Sequence, residues 1–428
     1  MSPRGGSRNL ACDALVRIED GAYSHVIVPS MLRGSNLSMR DRAFVTELVY
    51  GTLRSQRRLD AMLAPHGRRK IASLDPGVRA ALRIGAHQLV VGVPAHAAVA
   101  ETVEASPSRA RGYVNAVLRA LSAAGPPWPE PTNPAVALSY PDWLVDQLIS
   151  DLGADDAVAA LAASNESGAV ALRPNPRRTT AAELEQELQG SGAQVERGRL
   201  LSDALVIRGA GDLGALPAVA SGRATPQDQA SQAVIAYAAP TAGMRVLDVA
   251  AAPGGKATAA AELVGDDGLV VALDFDEGRL RLIREAAKRL GLGNLVTAQA
   301  DGRALPVANE SFDIVVVDAP CSGLGALRRR PDLRWRVDPA ALAPLADLQV
   351  ALVLEAAATV RPGGKLVYSV CTPTAIETTG VAARVIEALP GFTVLPPPST
   401  WRTHGPGGLI LPQDAGTDGM FVLGLHHS

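Results

Sequence analysis

The stretch "RVLDVAAAPGGK", residues 245–256, decides the fold class of this 428-residue chain. A short apolar segment leads into an aspartate, then into small residues and two glycines, and then into a helix-forming run. This order is typical of a buried strand, a tight turn and the first turn of a helix. In such a turn the backbone can approach a ligand closely before the helix begins.

The same alternation continues toward the C-terminus. Apolar segments resume at "LVVALD" (269–274), "LVTAQAD" (295–301), "DIVVVD" (313–318) and "KLVYSV" (365–370), and helices are predicted over 256–264, 278–290, 340–360 and 377–389. Apolar strands separated by helices indicate a parallel sheet covered on both faces. We therefore expect residues 231–428 to form a doubly wound α/β domain.

The first 128 residues have a different pattern, with apolar side chains at helical spacing. Val45, Leu48 and Val49 recur in this way, and "SLDPGVR" predicts a helix start with Asp75 as its N-cap. The proline-rich run "AGPPWPEPTNP" (124–134) indicates a linker. Residues 135–230 then mix short strands and helices, so we expect a helical bundle over 1–128 and a small α+β segment over 135–230.

Composition limits the function classes. Residues 1–130 carry 17 Arg and Lys against 10 Asp and Glu, whereas the remainder carries 24 against 33. The basic first part permits binding to a polyanion. Three cysteines without metal-type spacing, no signal peptide and no apolar run of about 20 residues favour a cytoplasmic protein with no metal and no membrane span. We also expect a monomer.

Acidic residues follow the predicted strands at the edge where ligands of such sheets bind. Asp274, Asp301 and Asp318 come at or just after three successive strands. A carboxylate after the second strand can accept hydrogen bonds from a ribose. The chain lacks the GxGxxG and GxxxxGK[ST] patterns in this region, and the carboxylates suit a cationic cofactor better than a pyrophosphate. S-adenosylmethionine, with its sulfonium and ammonium groups, is the cofactor that we expect.

Two of the three cysteines occupy equivalent places in the predicted sheet. Cys321 lies in "DAPCSGLG" (318–325) and Cys371 in "YSVCTPT" (368–374), each just after a strand. Neighbouring strands bring both thiols to one crevice. A methyltransferase needs a thiol to modify carbon 5 of a pyrimidine, because a thiolate that adds to carbon 6 makes carbon 5 nucleophilic. The residues alone leave open which cysteine attacks.

Three motifs resemble those of a known family. "DVAAAPGGKA", "DAPCSGLG" and "YSVCTPTAIETT" are similar to signature motifs of the RNA 5-methylcytosine methyltransferases of the NOL1/NOP2/Sun family, and "TPQDQASQ" (225–232) resembles the approach to its catalytic domain. "DRAFVTELVYGTLR" and "YVNAVLR" are similar to the NusB-like RNA-binding domain. That pairing occurs in the RsmB (Fmu/Sun) branch. The resemblance implies a Rossmann-like S-adenosylmethionine-dependent methyltransferase domain after an all-α NusB-like domain.

The resemblance also implies roles for individual residues. Cys371 would be the nucleophile and Cys321 would assist product release, while Asp274 would hold the ribose and Asp301 would lie at the adenine. The full set of cofactor-binding residues that we expect is Ala250, Ala251, Ala252, Pro253, Gly254, Gly255, Lys256, Asp274, Arg279, Asp301 and Asp318. Ala250 and Ala257 depart from the family, which often has cysteine and threonine at these positions.

The predicted function is therefore the formation of 5-methylcytosine in 16S ribosomal RNA. Two alternatives stay open at this point: the same chemistry on tRNA or on another ribosomal RNA site, and a non-catalytic RNA-binding assembly factor. The arginine-rich run "LRRRPDLRWR" (327–336), with Trp335 between two arginines, is interpreted as a phosphate- and base-contacting segment. The target cytosine is expected to be unpaired or flipped out of its stack.

Overall fold

The structure is a computed structural model that describes residues 6–128, 130–208 and 213–428, without the side chain of Ala215. The chain forms two compact units. One comprises residues 1–150, 154–167 and 327–336, and the other comprises 151–153, 168–326 and 337–428. Residues 1–5 and 209–212, which belong to the first and second predicted domains, lie outside the described residues.

The first unit is helical, as predicted for residues 1–128, but it also includes 135–150 and 154–167, which were expected in the α+β segment, and 327–336, which were expected in the α/β domain. Its helices are α1 (Ser7–Glu19), α2 (Ser24–Arg33), α3 (Met39–Leu63), α4 (Pro76–Val90), α5 (Ala95–Ala105), α6 (Arg111–Ala124), α7 (Pro134–Ala137), α8 (Asp142–Leu152, whose last two residues belong to the second unit) and α9 (Ala154–Ala163). The apolar stripe of α3, with Val45, Leu48 and Val49, is buried in one core with α1, α4 and α6. α4 begins at Pro76 as predicted, but the Asp75 side chain does not cap it and instead accepts a hydrogen bond from Arg109 at 2.7 Å.

The arginines of the run 327–336 occupy two kinds of environment: Arg329 and Arg330 are exposed, as a phosphate-contacting role needs, whereas two others are buried. Arg334 is 0% exposed, and its guanidinium lies 3.9 Å from the centre of the Tyr140 ring. Its Nη1 donates to the Asn165 side chain at 2.7 Å. Arg328 is also buried. These cations are held by contacts within the first unit, which local sequence could not reveal.

A small antiparallel sheet begins the second unit. Its strands β1 (Val170–Pro174), β2 (Gln194–Arg197), β3 (Leu205–Arg208) and β4 (Ala224–Pro226) lie in the order β2-β3-β1-β4. Helix α10 (Ala181–Gly190) begins at a capping box formed by Thr180 and Glu183, and it packs Leu184 and Leu188 onto the sheet. The short helix α11 (Pro217–Ala220) precedes β4.

A nine-stranded sheet forms the rest of this unit. Its strands are β5 (Arg245–Asp248), β6 (Leu269–Asp274), β7 (Leu295–Gln299), β8 (Phe312–Asp318), β9 (Val360–Val370), β10 (Phe392–Leu395), β11 (Arg402–His404), β12 (Gly407–Ile410) and β13 (Met420–His427). The order is β11-β12-β13-β9-β8-β5-β6-β7, with β10 beside β13. β5 to β9 pair in parallel, and the order reverses at β5, which is where such sheets bind ligands, beyond the carboxyl ends of the strands.

The sheet is mixed, and the antiparallel part corrects the expectation of a purely parallel sheet. β10 and β12 pair antiparallel with β13, which itself runs antiparallel to β9. β11 and β12 are joined by a two-residue turn, a connection that only antiparallel strands allow. The alternation of strands and helices predicts the parallel part but ends after residue 388.

Helices cover both faces of the large sheet. They are α12 (Gln229–Ala238), α13 (Gly255–Val264), α14 (Glu277–Leu290), α15 (Leu342–Ala357), α16 (Thr379–Ala388) and α17 (Pro412–Ala415). Alternate strand residues enter opposite cores: Val316 packs with α13 and α14, whereas Val315 and Val317 pack with α15 and α16. One described segment, Pro339–Ala357, could cross a membrane by length and composition, but core helices of soluble proteins pass the same test, and Val353 here is fully buried beside the sheet.

Candidate active site

The loop 249–254 runs from the end of β5 to the start of α13 along the carboxyl edge of the parallel strands. The neighbouring strand β6 fixes its path. The amide of Ala251 donates to the carbonyl of Leu273 at 2.8 Å, and the amide of Ala252 donates to Asp274 Oδ2 at 3.0 Å. The predicted residues Ala250, Ala251, Ala252 and Pro253 therefore lie in one turn beside Asp274.

Two glycines complete this turn and lead into α13. Gly254 has a φ of +101°, a conformation that other residues rarely adopt, and a side chain there would press on Ile283. A Cβ on Gly255 would lie 3.1 Å from the side chain of Gln227. The two glycines thus allow the turn to pack closely against Ile283 and Gln227, and the turn leads into the N-terminus of a ten-residue helix.

Asp274 and Arg279 are brought together with the turn. The Asp274 side chain is buried, and its Oδ1 accepts a hydrogen bond from the amide of Asp276 at 3.0 Å. Arg279 Nη1 lies 3.6 Å from Asp274 Oδ2, and Nη2 of the same guanidinium donates to the carbonyl of Ala252. Each carboxylate oxygen has a second lone pair, so Asp274 can still accept a hydrogen bond from a ligand.

Lys256 and Asp318 form an ion pair at the switch point of the sheet. Lys256 Nζ lies 2.6 Å from Asp318 Oδ2, and the lysine side chain is only 6% exposed. Lys256 also donates to Ser231 Oγ at 3.2 Å, while Ser369 Oγ donates to Asp318 Oδ1 at 2.8 Å. Asp318 keeps 35% of its side-chain surface exposed, so the pair faces the crevice.

The two strand-end cysteines meet, as their positions in the sequence predict. Cys321 Sγ and Cys371 Sγ lie 3.3 Å apart, and both residues are free thiols. The hydrogen bond to Cys371, followed by burial, raises the pKa of Cys321 well above its ordinary value. The hydrogen bond from Cys321 lowers the pKa of Cys371, against the effect of burial. These two directions make Cys371 the more acidic thiol of the pair.

Comparisons with known proteins find relatives that cover nearly the whole chain. A protein of Bacillus subtilis (strain 168) named "Probable ribosomal RNA small subunit methyltransferase B" is 34% identical, over 98% of each chain. A protein of Vibrio cholerae named "Ribosomal RNA small subunit methyltransferase B" is 32% identical, over 91% of this chain and 90% of its own. This chain belongs to the ribosomal RNA small subunit methyltransferase B family. It is an S-adenosylmethionine-dependent methyltransferase.

Three family models match different parts of this chain. "16S rRNA methyltransferase RsmB/F" matches residues 235–426, "NusB family" matches 6–123, and the ferredoxin-like domain of RsmF/B-like methyltransferases matches 140–214. The solved structure titled "Crystal Structure of PH0851" is 25% identical, covers 98% of both chains and has a TM-score of 0.82. The fold is therefore NusB-like, ferredoxin-like and Rossmann-like in turn, with a mixed sheet in the last part.

A buried carboxylate in the methyltransferase site supports the fit of the cofactor. Asp248, at the end of β5, is 1% exposed, and its carboxyl group is buried close to the charges of Asp318, Lys256 and Asp274. Burial, followed by repulsion from Asp318, raises the pKa of Asp248 to about 7. A buried acidic group at the end of β5, beside this turn, suits a cationic ligand such as S-adenosylmethionine. Among the described residues, no group of three or more His, Cys, Asp or Glu side chains could hold a metal ion.

Asp301 is the predicted site residue that is least integrated into this methyltransferase site. It follows β7, one residue after Ala300, whose amide donates to the carbonyl of Asp274 at 3.1 Å. The carboxylate of Asp301 is paired with Arg303 at 2.7 Å, and this hydrogen bond lowers the pKa of Asp301 to about 2. Asp301 therefore lies at the same edge, but its side chain already has a partner within the chain.

The sequence did not predict a set of polar contacts around Asp228, near the Ser231 that contacts Lys256. Asp228 accepts a hydrogen bond from the amide of Ala230 at 2.9 Å and from the amide of Asp418 at 3.2 Å, and it accepts another from the hydroxyl of Thr417. The only signal was the stretch "TPQDQASQ", which contains Asp228 and the Ser231 that contacts Lys256. Nothing in the local pattern pointed to Asp418, which lies 190 residues away.

Proposed function

We propose that this methyltransferase forms 5-methylcytosine in 16S ribosomal RNA through a covalent bond between Cys371 Sγ and carbon 6 of the target cytosine. The observation that carries the proposal is the pair of thiols, 3.3 Å apart, beyond the ends of β8 and β9. The names of the relatives, which refer to the small ribosomal subunit RNA, support this choice of substrate.

The first step uses Cys371 as the nucleophile. Its thiolate adds to carbon 6 of the cytosine, and the new S–C6 bond leaves carbon 5 electron-rich. S-adenosylmethionine, when bound, would supply the methyl group: carbon 5 would bond to the methyl carbon as the methyl–sulfur bond breaks, and the sulfur would leave as a neutral thioether. The hydrogen bond from Cys321 supports this step, since it lowers the pKa of Cys371 and enlarges the thiolate fraction.

The second step releases the product. A base removes the carbon 5 proton, and the electrons of the C5–H bond restore the C5=C6 double bond as the S–C6 bond breaks toward Cys371. Cys321 assists this release, because its protonated thiol lies beside the departing sulfur and can share a proton with it. This division of roles agrees with the motif positions of the two cysteines.

The cofactor is held by the turn and by the strand-end carboxylates. Residues Ala250–Lys256 would enclose its methionine part, Asp274 with Arg279 would hold the ribose, and Asp301 would lie at the adenine. Asp318, fixed by Lys256, would face both the sulfonium and the target base. The buried position of Asp274 and the ion pair of Asp318 support these roles.

The other parts of the chain would bind the RNA and present the site. We propose RNA binding by the NusB-like domain (1–128), substrate recognition by the small segment (135–230) and catalysis by residues 231–428. The excess of Arg and Lys in the first 130 residues supports the first of these roles. The protein is proposed to act in the cytoplasm, as a monomer, on a cytosine that is unpaired or flipped out.

The substrate is tested by bisulfite sequencing of ribosomal RNA from cells that lack the gene. Loss of methylation at one 16S cytosine is expected, with restoration by the wild-type gene. Unchanged methylation at every 16S cytosine would refute the substrate assignment, whereas a change confined to tRNA or to another ribosomal RNA would redirect it.

The roles of the thiols are tested with purified full-length protein. Cys371→Ala is expected to abolish methyl transfer to a 16S transcript. Cys321→Ala is expected to accumulate an RNA–protein adduct that survives denaturing electrophoresis. Cys12→Ala is the matched control, because Cys12 is buried in the helical unit. Normal turnover by Cys371→Ala would exclude Cys371 as the nucleophile.

A further inference from the structure

A buried glutamate connects the two loops that carry the cysteines. Glu377 is 0% exposed. Its Oε1 accepts hydrogen bonds from the amide of Ser322 at 2.9 Å and from Gln349 Nε2 at 3.0 Å. Its Oε2 accepts from the hydroxyl of Ser322 at 2.5 Å and from that of Thr374 at 2.9 Å. One carboxylate thus binds the residue after Cys321 and a residue three positions after Cys371.

The residues around Glu377 reinforce this connection. Gln349 Nε2 also donates to the carbonyl of Pro320, one residue before Cys321, at 2.9 Å. The hydroxyl of Tyr368 lies 2.7 Å from the main-chain oxygen of Glu377 and 2.9 Å from Gln349 Oε1. All of these groups lie in the second unit, and the side chains of Gln349, Tyr368 and Glu377 are fully buried.

The chemistry of a carboxylate explains why glutamate suits this place. A carboxylate is an acceptor only, with two oxygens that can together take about four hydrogen bonds. Here four donors from three segments converge on it, which offsets the cost of removing the charge from water. A carboxamide of the same shape would present a donor to one pair of these groups, so one loop would have to adjust.

We propose that Glu377 is a positioning residue for methyl transfer: its carboxylate holds the two cysteine loops together, so that the Cys321 and Cys371 sulfur atoms stay in hydrogen-bond contact. This role rests on the proposed function of the two thiols. The negative charge acts in the same direction, since Glu377 contributes, after the hydrogen bond to Cys371 and burial, to the raised pKa of Cys321.

The test compares Glu377→Gln with Glu355→Gln in the full-length protein. Glu355 is a suitable control, because it lies on α15, the helix that also carries Gln349. It accepts one amide hydrogen bond, from Leu305 at 2.9 Å, away from the cysteine loops. The first readout needs no RNA: the relative alkylation rates of Cys371 and Cys321 by iodoacetamide, resolved by mass spectrometry.

Wild-type protein and Glu355→Gln are expected to react first at Cys371. Glu377→Gln is expected to reduce this preference about tenfold while it keeps its circular dichroism spectrum and binds S-adenosylmethionine with an affinity within about twofold of wild type. With a 16S transcript, its single-turnover methyl transfer should fall by at least about tenfold at unchanged KM for RNA. A purely structural defect would weaken cofactor binding together with turnover.

The outcomes separate this inference from the proposed function. An unchanged alkylation preference and an unchanged single-turnover rate in Glu377→Gln would overturn the role of Glu377, even if the protein methylates 16S RNA as proposed. An altered alkylation preference would support that role even if the wild-type protein methylated no cytosine of the transcript, a result that would refute the proposed function alone.

Discussion

Removing the Cys321 thiol is expected to slow attack by Cys371 and to shift its pH dependence. The sulfur atoms are 3.3 Å apart, and the hydrogen bond from Cys321 lowers the pKa of Cys371. A hydrogen bond to a charged group contributes about 1.5–3 kcal/mol, and a thiol is a weak donor, so the lower end applies. About 1.4 kcal/mol corresponds to a tenfold change in the thiolate fraction. Cys321→Ala should therefore form its covalent adduct about tenfold more slowly near pH 7.

The sign of the pH effect follows from the same hydrogen bond. Without its donor, the Cys371 thiol has a higher pKa, so the rate of attack should rise with pH and reach its plateau at more alkaline pH than in wild type. At that plateau the two rates should converge, because the thiol is ionised in both proteins.

The assay is single-turnover adduct formation with a transcript that contains 5-fluorocytosine, whose carbon 5 carries no proton for the base to remove. Adduct is counted on denaturing gels between pH 6 and pH 9. Cys321→Ser, which keeps a hydroxyl donor, should form its adduct faster than Cys321→Ala near pH 7, and Cys12→Ala should match wild type. Superimposable pH profiles for wild type and Cys321→Ala would refute the reasoning.

Three further perturbations concern stability and cofactor binding. Arg173 forms a buried ion pair with Glu262 at 2.9 Å, so Arg173→Ala should lower the free energy of unfolding by about 3–5 kcal/mol in urea titrations. The Arg173→Ala/Glu262→Ala double variant should lose less unfolding free energy than Arg173→Ala alone. An equal or larger loss of unfolding free energy would contradict the ion-pair argument. Burial raises the pKa of Asp248 to about 7, so protonation stabilises the fold of the cofactor-free protein. The unfolding free energy of wild type relative to Asp248→Asn should fall as pH rises from about 4 to about 7, by on the order of 4 kcal/mol, and level off above pH 7. If the difference in denaturation midpoint between wild type and Asp248→Asn did not change with pH, this expectation would be contradicted. Asp274→Ala leaves the amide of Ala252 without its acceptor and should weaken S-adenosylmethionine binding at least about tenfold by calorimetry. Unchanged affinity would exclude Asp274 from the cofactor site.

The parallel half of the large sheet could be predicted from the sequence because each of its strands has a recognisable local sequence pattern. An apolar run of four to seven residues ends at a polar residue, as at Asp274 and Asp318, and most of these runs lead to an amphipathic helix. The antiparallel half has a weaker local sequence pattern, since β11 and β12 have only three and four residues and β13 is paired on both sides. Its place beside β9 depends on long-range pairing.

The candidate site shows the same division between local and long-range information. The strand-end rule alone brings Cys321 and Cys371 into one crevice. It could not show that Arg334 is buried, because the groups that receive its hydrogen bonds lie more than 160 residues away. The role of Glu377 could not be predicted for the same reason, because Ser322, which it binds, lies 55 residues from it along the chain.

The difference between the two thiols also comes from such long-range contacts. Both cysteines follow a strand of the same sheet, so their positions alone make them equivalent. Cys321 is flanked by Ser322, which is bound to the carboxylate of Glu377, and this negative charge favours a protonated sulfur. The hydrogen bond from Cys321 lowers the pKa of Cys371, and this effect outweighs burial and the charges of Asp318 and Asp418, which act in the opposite direction. The proposed nucleophile and the proposed release group are therefore distinguished by what surrounds them, which is why a change at Glu377 should alter the chemistry of both.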